Sequence, residues 1–316
     1  MANMVMESAE RVTVPQPARQ LDLSILIVTW NSERWIGRCL DSIPRACEGL
    51  EYEVVLHDNS TDNAGFAGGT NRAFDESKGR YAFLLNPDCE LEPRALTELV
   101  QFLETHPRVA AAAPLLRDSS GDSQREFQLR RFPTLGRLAT EALMIDKLWP
   151  SNPVTARYRY RDLDLSVPQR VEQPAFAALL LRREVVETIG RLDERFAPAW
   201  FEDVDYCRRL ADAGYELWVV PSAQAQHFGG ASLEHLDFAR FVDIWYRNMW
   251  RYAQKWMSRG SAETLRFAII AGMLMRCLAG LAGLRPRGVE RWAAFRAYAA
   301  VLKKAFDRWD SSQPSS

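Results

Sequence analysis

The chain has 316 residues, 47% of them hydrophobic and 26% charged, so it reads as globular and long enough to bury a sizeable core. Its net charge of −1 excludes a general nucleic-acid binder, because no global positive field is present to gather phosphates. Its five cysteines, Cys39, Cys47, Cys89, Cys207 and Cys277, are scattered without metal-ligand spacing, which points to a reduced compartment.

Residues 1–20 mix Glu7, Glu10 and Arg11 with prolines and contain no apolar segment. They are expected to be a disordered lead-in rather than a secretory signal, and the protein to be cytoplasmic. Leu23 to Trp30, apolar and β-branched, predicts a buried strand that feeds a helix after Asn31-Ser32-Glu33, with Trp35, Ile36, Cys39, Leu40 and Ile43 at helical spacing. Tyr52 to His57 predicts a second strand, Asn71 to Ser77 a helix and Tyr81 to Leu85 a third strand. Such alternation predicts a parallel sheet covered by helices. Leu91 to Thr105 predicts a helix with Pro93 near its first turn, and Ala110 to Leu115 a short strand. Residues 117–170 are polar, Arg-rich and punctuated by proline, which predicts a long excursion with a helix around Leu135 to Leu148. Ala175 to Leu181 follows as a strand, Arg183 to Ile189 and Val204 to Ala213 as helices, and Glu216 to Val220 as a strand ended by Pro221.

Three polar clusters sit at the ends of these runs. Trp200-Phe201-Glu202-Asp203 sets two carboxylates at the mouth of a helix, while Asn86-Pro87-Asp88 and His227-Phe228-Gly229-Gly230 each follow a strand-like stretch. Convergence of such clusters at strand ends is how an α/β protein builds a site. Taken singly, each has a structural alternative: Asp203 can cap its helix, Asp88 and Asp58 can be turn residues, and His227 can pack beneath a loop. Gly65-Phe66-Ala67-Gly68-Gly69 lets backbone approach a ligand and opens a helix whose N–H groups can face phosphate. Trp200 can stack on the C–H face of a sugar or belong to the core.

Read in order, Ile25 to Asn31 (ILIVTWN), His57-Asp58-Asn59-Ser60, Asn63 to Gly69, Leu85 to Asp88, Phe201 to Asp205 and His227 to Gly230 resemble the words of the family 2 glycosyltransferases. The resemblance spans roughly residues 22–256 and is nearest to the rhamnosyltransferase-like branch that works on bacterial cell-surface glycans. It implies a GT-A fold: a Rossmann-like α/β domain with a mainly parallel central sheet over residues 21–239 and a C-terminal helical appendage over 240–316. It also implies inverting transfer of a hexose or deoxyhexose, with dTDP-rhamnose as the expected donor, from a nucleotide diphosphate sugar to a cell-surface glycan or lipid-linked acceptor. By this resemblance Asp203 is the base and Glu202 orients the acceptor or tunes it. Asp88 with His227 would hold a divalent cation, Mg²⁺ or Mn²⁺. Thr29, Asn31, Asp58, Asn63, Gly65 and Asn86 would contact the nucleotide, and Trp200 the acceptor.

Two departures from the family pattern matter. Asn86 replaces the first carboxylate of the aspartate-x-aspartate word, and the helix and strand that normally lie between Asp58 and Asn63 are missing, so the sheet is shortened after its second strand. The lost strand is an edge strand in the family, so strand 52–57 is expected to become the edge and base recognition to be weaker or less selective. These departures leave open a non-catalytic nucleotide- or glycan-binding partner on the same fold.

In the tail, Phe241, Trp245, Met249, Tyr252 and Trp256 predict a helix with one aromatic face laid on the domain. Phe267 to Leu284 is apolar with the single charge Arg276, marginal for crossing a bilayer. Trp292, Phe295, Ala299, Leu302, Phe306 and Trp309 then form one stripe on a second helix, in a segment where basic residues outnumber Glu290 and Asp307. The pattern suits a hairpin lying peripherally on the anionic inner face of the cell membrane; its alternative is a hairpin packed on the enzyme or on a second subunit.

Overall fold

The computed structural model describes residues 21–60, 63–229 and 236–309. The expected lead-in over 1–20 and Gly230 of the glycine pair lie outside the described residues. The chain begins β1 (Leu23–Thr29), α1 (Glu33–Ala46), β2 (Tyr52–Asp58), α2 (Gly65–Glu76), β3 (Tyr81–Leu85), β4 (Cys89–Leu91), α3 (Ala95–Thr105) and β5 (Val109–Arg117). The excursion holds α4 (Arg125–Gln128), β6 (Leu129–Arg130), α5 (Leu135–Ala142), α6 (Ile145–Leu148), α7 (Pro153–Tyr158), β7 (Gln169–Val171) and β8 (Gln173–Pro174). β9 (Ala178–Arg182), α8 (Arg183–Ile189), α9 (Glu202–Asp212), β10 (Glu216–His227) and the tail helices α10 (Phe238–Trp256), α11 (Arg259–Leu281) and α12 (Arg291–Phe306) complete it.

The main sheet runs β2-β1-β3-β9-β5-β10-β4, with β7 also paired to β10. Its two longest ladders, β1 with β2 and β10 with β5, are parallel, as is β1 with β3; β9 enters antiparallel between β3 and β5. Side chains alternate across the sheet, so Leu23, Ile25 and Ile27 of β1 pack with α1 and α3 on one face, while Leu26 packs with α2, α8 and α9 on the other. The runs were legible because both faces are covered, which demands continuous apolar sequence. β2 is the sheet edge, as the missing segment implied, and its Val54 and Leu56 remain exposed.

Several boundaries differ from expectation, each for a local reason. β10 does not stop at Pro221: a register shift between Val220 and Gln224 accommodates the proline, and the strand continues to His227. That continuation pairs His227 with Cys89 of β4, bringing the histidine beside Asp88. The helix expected from Leu91 starts at Ala95, because Cys89–Leu91 is drawn into strand pairing with β10. The helix expected over Leu135 to Leu148 is broken after Ala142, where Met144 takes a φ of 60°. The excursion is ordered, and β6 and β8 pair antiparallel, setting Arg130 opposite Gln173.

The tail packs onto the α/β domain. Val242, Met249 and Trp250 of α10, Leu265, Ile269 and Met273 of α11 and Val301 of α12 share one core with Phe196, Phe201 and Val204. Arg276, the lone charge of the apolar stretch, is buried and donates to the Ala142 carbonyl at 2.6 Å and to Gly272 O at 3.0 Å. A Cβ at Gly272 would stand 2.0 Å from Ala142 O, so only glycine lets α11 approach α5 this closely. α11 is long and apolar enough to cross a bilayer, yet half of its most apolar window is buried within the protein.

Candidate active site

A cavity of about 680 Å³ opens where the C-terminal ends of the strands meet the start of α9 and the first turns of α10. Asn63, Gly65, Asn86, Asp88, Trp200 and Glu202 line it, together with Asp203 and His227. Eight of the eleven residues expected in a site thus share one cavity. Thr29, Asn31 and Asp58 are not among its lining residues.

The carboxylate pair sits on a strained turn. Trp200 and Phe201 have φ of 71° and 74°, a conformation costly for bulky residues. Asn248, fully buried on α10, holds that turn: its Nδ2 donates to Phe196 O at 2.6 Å, Ala199 O at 2.9 Å and Trp200 O at 3.1 Å. Trp200 packs edge-on against Phe241 at 5.0 Å and Trp245 at 5.9 Å, so its ring is half-buried in an aromatic wall. Asp205, one helical position beyond the pair's neighbour Val204, is fully buried and accepts from Trp256 Nε1 and Lys255 Nζ, both at 2.7 Å. This ties α9 to the far end of α10.

Asp203 is oriented from two sides. Its Oδ1 accepts from the Val204 N–H at 2.8 Å and its Oδ2 from Gln173 Nε2 at 2.8 Å. Burial raises its pKa, while the nearby Arg130 and these hydrogen bonds hold it down. Glu202 is raised well above the usual range, first by burial and then by the Asp203 charge, and its Oε2 is buried without a hydrogen-bond partner among the described residues. Burial thus raises both carboxyls, Glu202 further through the neighbouring Asp203 charge, while Asp203 is restrained by Arg130 and its hydrogen bonds. Capping alone would not require the second donor, because Gln173 reaches Asp203 from another element.

The histidine presents a fixed tautomer. Gln124 Nε2 donates to His227 O at 2.8 Å, so the Gln124 carbonyl oxygen faces His227 Nδ1 at 2.8 Å, and Nδ1 carries the proton. The lone pair on Nε2 then faces Asp88 Oδ1 at 3.6 Å. Burial lowers the His227 pKa against the pull of Asp88, keeping the ring neutral. Two electron-rich atoms facing each other fit a cation bound between them, with Gln124 supplying the outer hydrogen bond to His227. Cys89 lies within the same group, whose ligand atoms are all within 4.8 Å, but burial pushes its thiol well above its usual pKa and its Sγ donates to Ala177 O at 3.4 Å. The remaining oxygen and imidazole donors fit Mg²⁺ or Mn²⁺ better than a thiolate-loving ion.

The opposite wall is built from turns. Asn63 Oδ1 accepts from the Gly65 N–H at 3.0 Å, and Gly65, with φ of 75°, sits where a Cβ would meet Pro198 O at 2.6 Å. Asn59, next to the expected Asp58 in the same word, is buried in this wall, donates to Gly65 O at 3.0 Å and leaves its Oδ1 without a partner among the described residues. Asp58 is exposed, its carboxyl held below the usual range by Ser60, whose Oγ donates to Oδ2 at 2.8 Å. Thr29 Oγ1 donates to Asp58 Oδ1 at 3.3 Å, and Asn31 is exposed with φ of 51°. Gln124, Gln173 and Asn248 escape sequence reasoning, since uncharged amides outside recognised words carry no signal until the fold places them; Asn59 stands within a recognised word beside Asp58 but is not among the expected site residues.

The fold is of the GT-A type, and the chain belongs to glycosyltransferase family 2: the family model described as "Glycosyltransferase like family 2" matches residues 52–242. It is similar to the N-acetylglucosaminyl-diphospho-decaprenol L-rhamnosyltransferase of Mycobacterium tuberculosis, with 29% identity over 206 residues, 62% of this chain and 66% of that protein. The match therefore spans just under two thirds of the relative's length. Among solved structures it is similar to the mannosyltransferase PcManGT of Pyrobaculum calidifontis in complex with GDP-Man and Mn²⁺, with a TM-score of 0.51 and 16% identity, covering 95% of this chain and 91% of that one.

Proposed function

We propose that the protein is an inverting glycosyltransferase that moves a hexose or deoxyhexose, rhamnose foremost, from a nucleotide diphosphate sugar to a lipid-linked or cell-surface glycan acceptor at the inner face of the membrane. The observation that carries this reading is the meeting of Asp203 with Asp88 and His227 in one cavity. Asp203 takes the proton of an acceptor hydroxyl, the oxygen forms a bond to the anomeric carbon, and the bond to the nucleotide diphosphate breaks with its electron pair leaving on the diphosphate. Glu202 donates a hydrogen bond to the acceptor, and Asn63, Asn86 and the Gly65 turn contact the nucleotide, as do Thr29, Asn31 and Asp58 at its outer side. Trp200 presents the acceptor wall. A divalent cation held by Asp88 and His227 would supply positive charge against the departing diphosphate. Rhamnose and a diphospholipid acceptor come from the Mycobacterium relative, and a divalent metal is in keeping with the Mn²⁺ named in the PcManGT complex.

The test has two stages. Thermal stabilisation by dTDP, UDP, GDP and CMP, each with and without Mn²⁺, should single out one diphosphate with a metal-dependent shift. The matching sugar nucleotide should then label a polyprenyl-diphosphate-linked N-acetylglucosamine. Stabilisation without any transfer to lipid-linked or glycan acceptors would turn the reading toward a non-catalytic binding protein.

A further inference from the structure

α11 has two faces of unlike fate. Ile269, Met273 and Arg276 point into the protein, whereas Phe267, Leu274, Leu278 and Leu281 recur at helical spacing on the outward side, with Leu278 66% exposed. Leu284 and Trp292 carry the exposure past the end of the helix, at 70% and 49%. Single exposed apolar residues are ordinary, but a continuous outward stripe marks an interaction surface. The stripe expected from sequence on α12 divides: Leu302 and Trp309 pack into the tail core, Trp309 stacking on Trp250 at 6.4 Å, while Trp292 and Phe306 stay exposed. Beside the α11 stripe stand exposed Arg285 and Arg287, and Arg291, whose guanidinium donates to Leu281 O at 3.0 Å and is thereby drawn to the helix end. With a whole-chain net charge of −1, this basic edge is a local feature.

We propose that the outward face of α11, with Leu284, Trp292 and the three arginines at its end, lies in the plane of an anionic lipid surface, apolar side chains in the acyl boundary and guanidinium groups at headgroup phosphates. The helix lies on the bilayer and does not cross it, because Arg276 and Gly272 fasten its other face to α5. Anionic headgroups complement the exposed Arg285 and Arg287, and a second copy of this chain on the same face is the alternative that the test separates. The face is joined to the cavity through α5: Glu141 Oε1 accepts from the cavity residue Trp245 at 2.6 Å, and the next residue, Ala142, accepts from Arg276. The purpose of such docking rests on the proposed lipid-linked acceptor, but its test requires no transfer activity.

Flotation of the full chain with phosphatidylcholine vesicles, with and without phosphatidylglycerol, tests the surface. The protein is expected to float with the anionic vesicles and to stay behind with the neutral ones. Leu278→Glu with Leu281→Glu, and separately Arg285→Gln with Arg287→Gln, should each weaken anionic-vesicle binding by about ten-fold or more, with unchanged thermal melting since all four side chains are exposed. Failure of the unaltered protein to float, equal flotation with neutral vesicles, or normal flotation of either double variant would overturn the proposal. Light scattering that finds a dimer broken by the leucine double variant, without flotation, would overturn it too and assign the face to a second copy.

Discussion

The cavity wall formed by α9 and α10 is enclosed by aromatic rings and held by converging side-chain hydrogen bonds, whereas the wall toward β2 ends in an exposed edge strand and a short turn. On the first wall Asn248 and Gln173 are buried and each reaches across to a different element. Beyond the second, outside the cavity lining, Asp58 is exposed and its partners Ser60 and Thr29 are local or on the neighbouring strand. The difference follows from the missing segment: among the described residues no further strand covers β2, so Val54 and Leu56 face solvent, and on the proposed function this side has less to enclose a base. Chemistry is therefore expected to be fixed tightly and base choice loosely.

The largest effect should come from the enclosed wall. Asp203→Asn removes the base while keeping the Val204 hydrogen bond possible, so kcat should fall by roughly 10²–10⁴ with little change in melting. A variant that turns over normally in a direct transfer assay would move the base elsewhere. Asn248→Leu should come next: it strands carbonyls of the Phe196–Trp200 turn and should cost about 1–3 kcal/mol in urea unfolding, with transfer falling as the turn relaxes. Unchanged stability would mean the turn is held by its aromatic packing alone.

Gln173→Leu should act more gently, and through pH. On the proposed mechanism Asp203 works ionised, so transfer should be present above its pKa and be lost as pH falls through it. Because burial has already raised that pKa, the acid limb of kcat/KM should lie above the ordinary aspartate value of about 3.9. Removing the Gln173 donor, which stabilises the ionised form, should move the limb upward still and lower the rate most at the acid end, with KM for the donor little altered. A purely structural role would lower the rate equally at every pH. The smallest effect is expected on the open wall: Asp58→Ala should change nucleotide-diphosphate affinity by no more than about three-fold, the scale of a solvent-exposed contact. A large loss in calorimetry, or sharp discrimination among the four nucleotides, would mean that this wall closes around its ligand after all.

Much of this was written in the chain. Buried strands on a sheet covered on both faces need continuous apolar runs, so β1, β3 and β5 were legible, as were the polar words at their ends. The Glu202-Asp203 pair announced a helix start, since acid is favoured there, and the fold sets both residues in the cavity lining. Tertiary structure decided what local pattern does not encode. Only the register shift past Pro221 carries β10 far enough for His227 to meet Asp88. Only packing brings Gln173, Gln124 and Asn248 to the groups they orient, across separations that no periodicity links. The tail shows the same division: its hydrophobic helices were plain in sequence, but which apolar face turned inward was settled by Gly272 and Arg276 meeting α5, because a helix stripe specifies burial without naming its partner.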